Sequence, residues 1–250
     1  MLKPRAAVIA AASCCLGSAC VYYFVYRRRR RADIVSTSET EIPRVRASSA
    51  EIAAAVKATG VCIVESVLDA VAVDSLRTRL AQIEPRKRQN RRANRWEHVH
   101  SPEDAPFVEL ASSEPIASAV RALLGPKTYL EKAGLIVSHV GSEAQRWHMD
   151  VPHLFSISTH LPPQSLSVFI PLCDLVPSNG PTEYQLGTHM KANLVKAQRH
   201  ALATCPAGSF VMYDPRIMHR GGPNNSESGA DRPLVYLTIS RIWYRDTLNP

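Results

Sequence analysis

The residues of this sequence best suited to chemistry are two histidines, one aspartate and one arginine. His148 and Asp150 are two positions apart, and His219 and Arg232 follow later in the chain. Alternate side chains of an extended strand face the same side, so His148 and Asp150 can point in one direction. A histidine from a distant strand would complete the two-His-one-carboxylate set with which non-haem oxygenases bind Fe(II). Arg232 would anchor the carboxylate of a cosubstrate, so the four residues predict an iron enzyme.

Strand-like segments lead into each of these residues. An apolar segment ending at Gly141 precedes His148, and the segment from Gly208 to Pro215 predicts a strand and a turn before His219. Arg232 opens the last long apolar segment. A single histidine in a β-rich protein is usually structural, so the combination of residues carries the prediction.

The predicted elements indicate a mainly β fold with supporting helices. Helices are predicted from Asp69, a plausible N-cap, to Ile83 and from Pro115 to Leu124. Short apolar runs bounded by Gly and Pro predict strands at residues 60–65, Thr128–Leu130, Gly134–Val140, Leu166–Leu172, Ser209–Tyr213 and Leu234–Ile242. Strands and helices do not alternate regularly, which favours an antiparallel sandwich or barrel.

Three segments resemble the phytanoyl-CoA dioxygenase family. They are His148-Met149-Asp150, the segment Asn179–His189 (NGPTEYQLGTH), and the series His219…Asn224…Ser226…Arg232-Pro233. The resemblance covers most of residues 55–245. It implies a double-stranded β-helix (jelly-roll) fold that uses Fe(II), 2-oxoglutarate and O₂.

The same resemblance assigns roles to the four residues. His148, Asp150 and His219 match the iron ligands, and Arg232 matches the arginine that holds the distal carboxylate of 2-oxoglutarate. Three facial ligands leave positions for the 2-oxo acid and O₂. Oxidative decarboxylation would release succinate and CO₂ and oxidise a C–H bond of the substrate. Because Asp150 is present, the vacancy that admits a halide in related halogenases is absent, and hydroxylation is favoured.

Several neighbouring residues have a functional and a structural interpretation. Gly221 stands where some family members carry a hydroxyl group that contacts 2-oxoglutarate, so Arg232 alone would hold the cosubstrate here. Phe169 and the segment Gln145–Trp147 are predicted to line the pocket or to pack in the core. Asp214 is predicted to orient a ligand or to form a turn. His189 belongs to a structural turn in the family and is excluded as a ligand.

Charge and cysteine content exclude two classes of protein. The chain has 250 residues and a net charge of +8, but residues 1–31 carry seven basic and no acidic groups, which leaves 23 basic and 22 acidic residues elsewhere. The overall charge therefore gives no reason to expect a nucleic-acid partner. The six cysteines form no CxxC pair, so neither a zinc knuckle nor a disulfide scaffold is predicted.

The N-terminal segment predicts a single membrane anchor. Residues 6–26 carry no charge and as a helix would reach about 31 Å, enough for a bilayer core. Aromatic residues gather at the end of this segment, and five arginines, Arg27 to Arg31, follow. The alternative is a cleaved signal peptide, with small residues at Gly17–Ala19. The arginines favour a retained anchor (residues 1–31) with the catalytic domain in the cytosol.

Residues 32–50 are polar and predict a linker, and residues 51–250 the dioxygenase domain. The basic run from Arg86 to Arg95 predicts a solvated loop, a site for an acidic group of the substrate, or a second membrane contact. The main hypothesis is thus a membrane-anchored dioxygenase that hydroxylates a small or lipid-like substrate. The alternatives are a catalytically silent, membrane-tethered jelly-roll scaffold and a hydroxylase of protein side chains.

Overall fold

Four α-helices and ten β-strands make up the part of the chain that the computed structural model describes, residues 41–90, 94–155, 160–190 and 200–247. The helices are α1 (Ser49–Thr59), α2 (Ala70–Ala81), α3 (Ala105–Ser112) and α4 (Ile116–Leu124). The strands are β1 (Val61–Val64), β2 (Lys87–Asn90), β3 (Arg95–His100), β4 (Thr128–Ser138), β5 (Ser165–Pro171), β6 (Thr182–Gln185), β7 (His200–Leu202), β8 (Phe210–Tyr213), β9 (His219–Gly221) and β10 (Arg232–Arg241).

The strands form two antiparallel sheets. The larger sheet has the order β1-β8-β5-β10-β4-β3-β2, and the smaller has the order β7-β6-β9. β8 shows how the two faces of the larger sheet are used. Its residues Phe210 and Met212 belong to the core cluster beneath the helices, whereas Val211 and Tyr213 belong to a second cluster with β6 and β7. The helices therefore cover one face, and the smaller sheet packs over the other.

Local sequence explains where the predicted helices begin and end. The Asp69 carboxylate accepts a hydrogen bond from the Ala72 amide (2.8 Å), as expected of an N-cap. α2 ends at Ala81, before the predicted Ile83. α4 begins one residue after the predicted Pro115, and Gly125 follows it with a positive φ of 81°.

β4 is one continuous strand, although two separate strands were predicted. Its partner β10 pairs with it from Arg232 to Arg241. Gly134 lies within β4 and is required by close packing: a Cβ atom there would lie 2.4 Å from the His98 carbonyl oxygen and 2.6 Å from the Tyr236 ring. Gly134 thus allows the neighbouring strands β3 and β10 to pack closely against β4, although a glycine in a sequence often indicates a turn.

Two predictions for the first hundred residues need correction. The basic run is not simply a solvated loop, because it contains β2, which pairs with β3, and because its last residue, Arg95, is buried. α1 was not predicted, and Pro43–Val45, within the predicted linker, hydrogen-bond to Ile63 of β1. The predicted anchor, residues 1–31, lies outside the described residues. Within them, no helix is long and apolar enough to span a bilayer.

Candidate active site

His148, Asp150 and His219 lie together where the two sheets meet. One ligand atom from each lies within 4.8 Å of the others. Asp150 Oδ1 is 3.7 Å from His148 Nε2 and 3.5 Å from His219 Nε2. The backbones of His148 and His219 form an antiparallel bridge, with hydrogen bonds of 3.0 and 2.9 Å in the two directions. The Asp150 amide donates to the Pro215 carbonyl (2.9 Å), so the turn before β9 also fixes the carboxylate.

Hydrogen bonds orient the three side chains. The Nδ1 atoms of His148 and His219 lie 2.8 and 3.0 Å from the carbonyl oxygens of Arg146 and Ile217. Each Nδ1 therefore carries the proton, which leaves the Nε2 lone pair for a metal ion. The Tyr213 hydroxyl donates to Asp150 Oδ2 (3.0 Å), while Oδ1 faces the two Nε2 atoms. The Nε2 atoms of His148 and His219 and the Oδ1 atom of Asp150 thus form one set of three ligand atoms.

The charge balance of this cluster favours a cation. Burial opposes ionisation of Asp150, but His219, His148 and the hydrogen bond from Tyr213 lower the pKa of Asp150 to about 2. Burial likewise opposes a charge on His219, but Asp150 raises its pKa. His219 is buried, whereas the side chains of His148 and Asp150 remain 38% and 36% exposed. The cluster therefore opens to solvent on the side of His148 and Asp150.

Arg232 provides a buried positive charge. Its side chain is about 1% exposed, and Nη2 donates to the Ser138 hydroxyl (2.7 Å). Nε and Nη1 are buried without a hydrogen-bond partner in the described part of the chain. Burial and the nearby Arg95 lower the pKa of Arg232 to about 10, so the group is charged at neutral pH. A buried guanidinium with N–H groups that no described residue accepts suits a carboxylate ligand, which can accept charge-assisted hydrogen bonds from it.

Arg95 is a second buried arginine that sequence analysis did not single out from the basic run. Its Nε donates to the same Ser138 hydroxyl (2.8 Å), and Nη2 donates to the Gly222 carbonyl (2.8 Å). Nη1 donates to the Glu143 carbonyl (3.2 Å). The side chain is therefore held by the protein itself, and it adds positive charge beside Arg232. Only the pairing of β3 with β4 brings it there.

Tyr184 was also not singled out, although it lies in the segment Asn179–His189. It is directly opposite His219 in the pairing of β6 with β9, and the two rings are stacked with centroids 5.7 Å apart. Its hydroxyl is buried, with Thr182 nearby but no hydrogen-bond partner in the described residues. Burial and the charge of Asp150 raise the pKa of Tyr184, and Arg232 is close enough to oppose them. Tyr184 is therefore a further unused donor near both charged groups.

The remaining candidate residues contact other parts of the protein near the cluster. At Gly221 an added Cβ would lie 2.8 Å from Gln145 Oε1, which accepts the Gly221 amide, and 3.2 Å from the Arg95 guanidinium carbon. A side chain at this position would therefore have to displace the ends of the Gln145 and Arg95 side chains. Trp147 packs under Arg220, whose guanidinium carbon is 4.6 Å from the ring centroid. Phe169 packs edge-on against Tyr213 at 5.0 Å.

His189 lies outside the cluster, as the sequence predicted. Its Nε2 is 3.1 Å from the Lys57 carbonyl, and its buried Nδ1 has no hydrogen-bond partner in the described residues. Burial lowers the pKa of His189, because protonation would place an unsatisfied charged donor at Nδ1.

This burial predicts a loss of stability in acid. The unfolded histidine takes up its proton near pH 6.5, before the folded one does. The free energy of unfolding should therefore fall as the pH drops below about 6.5, until the folded pKa is passed. Urea unfolding at about pH 7.5 and about pH 5 should show a smaller fall for His189→Gln than for the wild type. The exposed His139→Gln is the control, and an equal fall in all three proteins would contradict the prediction.

Comparison with known proteins agrees with this geometry. The sequence model described as phytanoyl-CoA dioxygenase (PhyH) matches residues 56–233, well over half of the chain. The chain belongs to the phytanoyl-CoA dioxygenase family. The matched region contains His148, Asp150, His219 and Arg232. Phytanoyl-CoA dioxygenases are Fe(II)- and 2-oxoglutarate-dependent, so family membership confirms the predicted enzyme class.

Three solved structures have a similar fold. HygX from Streptomyces hygroscopicus, with nickel and 2-oxoglutarate bound, has a TM-score of 0.63 and 15% identity over 78% of this chain and 87% of its own. EctD from S. alaskensis, with 2-oxoglutarate and 5-hydroxyectoine, has a TM-score of 0.66 and 19% identity over 88% and 86%. The non-haem, α-ketoglutarate-dependent epimerase SnoN from nogalamycin biosynthesis has a TM-score of 0.61 and 18% identity over 77% and 82%. The two-sheet architecture is therefore the jelly roll of these oxygenases, as predicted.

The predicted cofactors are confirmed at the level of the family. This member of the phytanoyl-CoA dioxygenase family uses Fe(II) and 2-oxoglutarate. The side chains fit both groups, because two imidazoles and a carboxylate form the donor set of non-haem iron. The unused N–H groups of Arg232 suit a dicarboxylate.

Proposed function

We propose that this enzyme hydroxylates a small or lipid-like organic substrate, converting 2-oxoglutarate to succinate and CO₂. In this proposal His148, Asp150 and His219 hold the iron, and Arg232 holds the distal carboxylate of 2-oxoglutarate. The observation that carries the proposal is the buried Arg232, whose Nε and Nη1 have no partner in the described residues. A buried charged donor without a hydrogen-bond partner costs free energy of folding, and a bound anion would offset this cost.

The protein's own residues would orient the reactants. Bound Fe(II) supplies the oxidising power when 2-oxoglutarate and O₂ are present. The hydrogen bonds from Nδ1 of His148 and His219 hold the imidazoles in the ligating tautomer. The Tyr213 hydroxyl keeps Asp150 ionised and turned toward the histidines. Because Asp150 supplies a carboxylate, no ligand position is vacated for a halide, which supports hydroxylation as the outcome.

Related structures support a small-molecule substrate. HygX has been solved with hygromycin B, and EctD with 5-hydroxyectoine. The predicted N-terminal anchor would keep the enzyme of this chain at a membrane, where amphiphilic molecules concentrate. A lipid-like small molecule agrees both with the ligands of the related structures and with the predicted membrane anchor.

Anaerobic titration of the full-length protein with Fe(II) and 2-oxoglutarate tests the proposal. We expect the visible charge-transfer band of a 2-oxo acid chelated to Fe(II). Arg232→Gln removes two charge-assisted hydrogen bonds and should raise the dissociation constant for 2-oxoglutarate about 100-fold. The exposed Arg121→Gln should leave it unchanged. A folded wild type that gives no band would refute the proposal and revive the silent scaffold.

Tyr184→Phe should have opposite effects on the empty and the loaded protein. Without cosubstrate the hydroxyl is buried and unsatisfied, so its removal should not lower the free energy of unfolding and should raise it by up to about 1 kcal/mol. With 2-oxoglutarate, loss of the donor should weaken binding about tenfold. Urea unfolding of the apoprotein and the anaerobic titration measure the two effects. A variant that is less stable but binds 2-oxoglutarate normally would show that the hydroxyl is only structural.

The anchor and its orientation are part of the proposal. Asn224, the acceptor of the sequon Asn224-Asn225-Ser226, is completely buried and donates to the carbonyl oxygens of Ser138 and Ala230. A glycan on Asn224 is incompatible with these contacts, which favours the cytosolic side. Alkaline extraction of membranes should leave the full-length chain in the pellet, and protease added to sealed vesicles should reach only a domain that faces outward. Release by alkali would contradict the anchor.

A further inference from the structure

Four large apolar side chains are exposed at one end of the larger sheet. Ile242 and Trp243 directly follow β10, and their exposed fractions are 65% and 64%. Leu154 and Phe155 follow the predicted iron ligand Asp150 closely in the chain, and Phe155 is 60% exposed. We refer to Leu154, Phe155, Ile242 and Trp243 as the apolar rim. Large exposed apolar side chains that are held near one another commonly mark an interaction surface.

Hydrogen bonds around Gln164 join the two halves of the apolar rim. The Gln164 side-chain amide donates to the Pro152 carbonyl (3.2 Å), and the backbone carbonyl of Gln164 accepts the Arg241 amide (3.0 Å). The Arg241 side chain also donates to the Pro163 carbonyl (2.9 Å). The segments leading to Leu154 and to Ile242 are therefore held side by side.

Leu154 and Phe155 of the apolar rim lie a short way along the chain from the candidate active site. Leu154 is four positions after Asp150, a distance of at most about 14 Å for an extended chain. The side chains of His148 and Asp150 are exposed on the open side of the metal cluster. A surface that covered the apolar rim would thus lie against the entrance to the site.

Cationic groups flank the apolar rim. The Lys127 carbonyl accepts the Ile242 amide (3.0 Å), and Arg245 follows Trp243 by two residues. Both side chains are exposed. The carboxylate of Asp246 is buried and paired with Lys132 (2.8 Å). An exposed tryptophan and aliphatic residues beside lysine and arginine form the combination that favours the interface of an anionic bilayer.

The described chain also begins at this end of the sheet. Val61, Tyr213, Ser167 and Thr238 form one row across β1, β8, β5 and β10. Ile242 lies beyond this row, four residues after Thr238. Arg44 bridges Ile63 in parallel, which brings the exposed Glu41 to the same end. The predicted anchor precedes Glu41 in the sequence.

We propose that the apolar rim docks on the surface of an anionic phospholipid bilayer, with Trp243 and Ile242 in the interface and Lys127 and Arg245 against the headgroups. The opening at His148 and Asp150 would then face the lipid. The inference about the substrate rests on the function proposed above. In this orientation the substrate would be an amphiphile whose apolar chain enters the site from the bilayer.

Fluorescence quenching of the full-length chain on vesicles tests the docking. The vesicles contain phosphatidylcholine and phosphatidylserine with brominated acyl chains, which quench tryptophan on contact. The chain has three tryptophans, Trp96, Trp147 and Trp243. We expect strong quenching in the wild type, loss of most of it in Trp243→Phe, and retention in Trp147→Phe. Quenching requires that a tryptophan of the domain reach the brominated acyl chains. Attachment of the protein to the vesicle by its predicted anchor is not sufficient, so an intact anchor does not mask the result.

Two further variants identify what Trp243 contacts. Phe155→Ser with Ile242→Ser should reduce the quenching of Trp243, whereas Val71→Ser, which changes an apolar residue of α2 that is 78% exposed, should not. Equal quenching in the wild type and in Trp243→Phe would overturn the proposal. So would a Trp243 emission shift that depends on protein concentration without vesicles, because it would assign the surface to a second copy of the chain.

The charge-transfer titration separates this inference from the function. If the Fe(II) and 2-oxoglutarate band is normal but Trp243 is not quenched, only the docking surface is refuted. If Trp243 is quenched but no band forms, the dioxygenase function is refuted and the membrane surface stands.

Discussion

Replacing His219 by alanine should abolish specific Fe(II) binding. His219 is the buried member of the cluster, and its Nε2 lies 3.5 Å from Asp150 Oδ1. The substitution removes a ligand directly, so the loss should exceed the 10–100-fold effect typical of residues that only orient ligands, and about 1,000-fold weaker binding is expected. Anaerobic metal titration, followed by the binding-induced increase in melting temperature, measures the effect.

His139→Ala provides a matched control for this experiment. His139 is an exposed histidine that pairs with Asp231 at 2.8 Å, outside the cluster. The His139→Ala variant should bind Fe(II) with the same affinity as the wild type. Equal metal affinity in His219→Ala and His139→Ala would show that the cluster is not the iron site, whatever the family assignment.

Arg216→Met should be the most destabilising of the substitutions considered. Arg216 and Asp214 are each about 2% exposed and form two parallel hydrogen bonds of 2.9 and 2.6 Å. Arg216 also donates to the Leu161 carbonyl (3.0 Å). Removing the guanidinium leaves a buried carboxylate without its counter-charge, which costs about 3–5 kcal/mol. Urea unfolding of the apoprotein at neutral pH measures the loss.

A second arginine with two hydrogen bonds to one carboxylate, on the surface, offers a direct comparison. Arg79 and Glu109 also form two parallel hydrogen bonds, both 2.7 Å, but their side chains are 41% and 58% exposed. Arg79→Met should cost less than about 1 kcal/mol. A similar cost for Arg79→Met and Arg216→Met would contradict the argument. Adding Asp214→Leu to Arg216→Met should recover part of the loss, because no unpaired charge then remains.

The position of this ion pair links stability to the site. Asp214 and Arg216 form the turn between β8 and β9, and the Pro215 carbonyl between them accepts the Asp150 amide. The turn therefore fixes both Asp150 and His219. Sequence analysis interpreted Asp214 as a turn residue or as a residue that orients a ligand, and the contacts combine the two roles.

Features encoded by local sequence could be predicted. The N-cap Asp69, the short apolar run of β8 and the long β10 follow from short-range patterns, and these elements were found near their predicted positions. The proximity of His148 and Asp150 follows from their spacing. No local pattern specifies the bridge between His148 and His219. The prediction that His219 joins the other two residues therefore came from the combination of motifs.

Features created by long-range pairing could not be predicted. Arg95 belongs to a run of basic residues in the sequence, and only the register of β3 against β4 places it opposite Ser138. Tyr184 shares its motif with several polar residues, and only the pairing of β6 with β9 places it opposite His219. Gly134 resembles a turn glycine because the sequence does not indicate which strand will approach it. In each case the partner lies far away in the chain.

The shared hydroxyl of Ser138 has a consequence for the amount of enzyme in a cell. It accepts hydrogen bonds from both Arg95 and Arg232, so two like charges lie side by side in the empty protein. If a dicarboxylate binds there, it offsets this repulsion only in the folded state, and a concentration 100 times its dissociation constant would add about 2.7 kcal/mol of stability. The concentration of 2-oxoglutarate would then affect how long each molecule stays folded and escapes degradation as well as how fast it turns over.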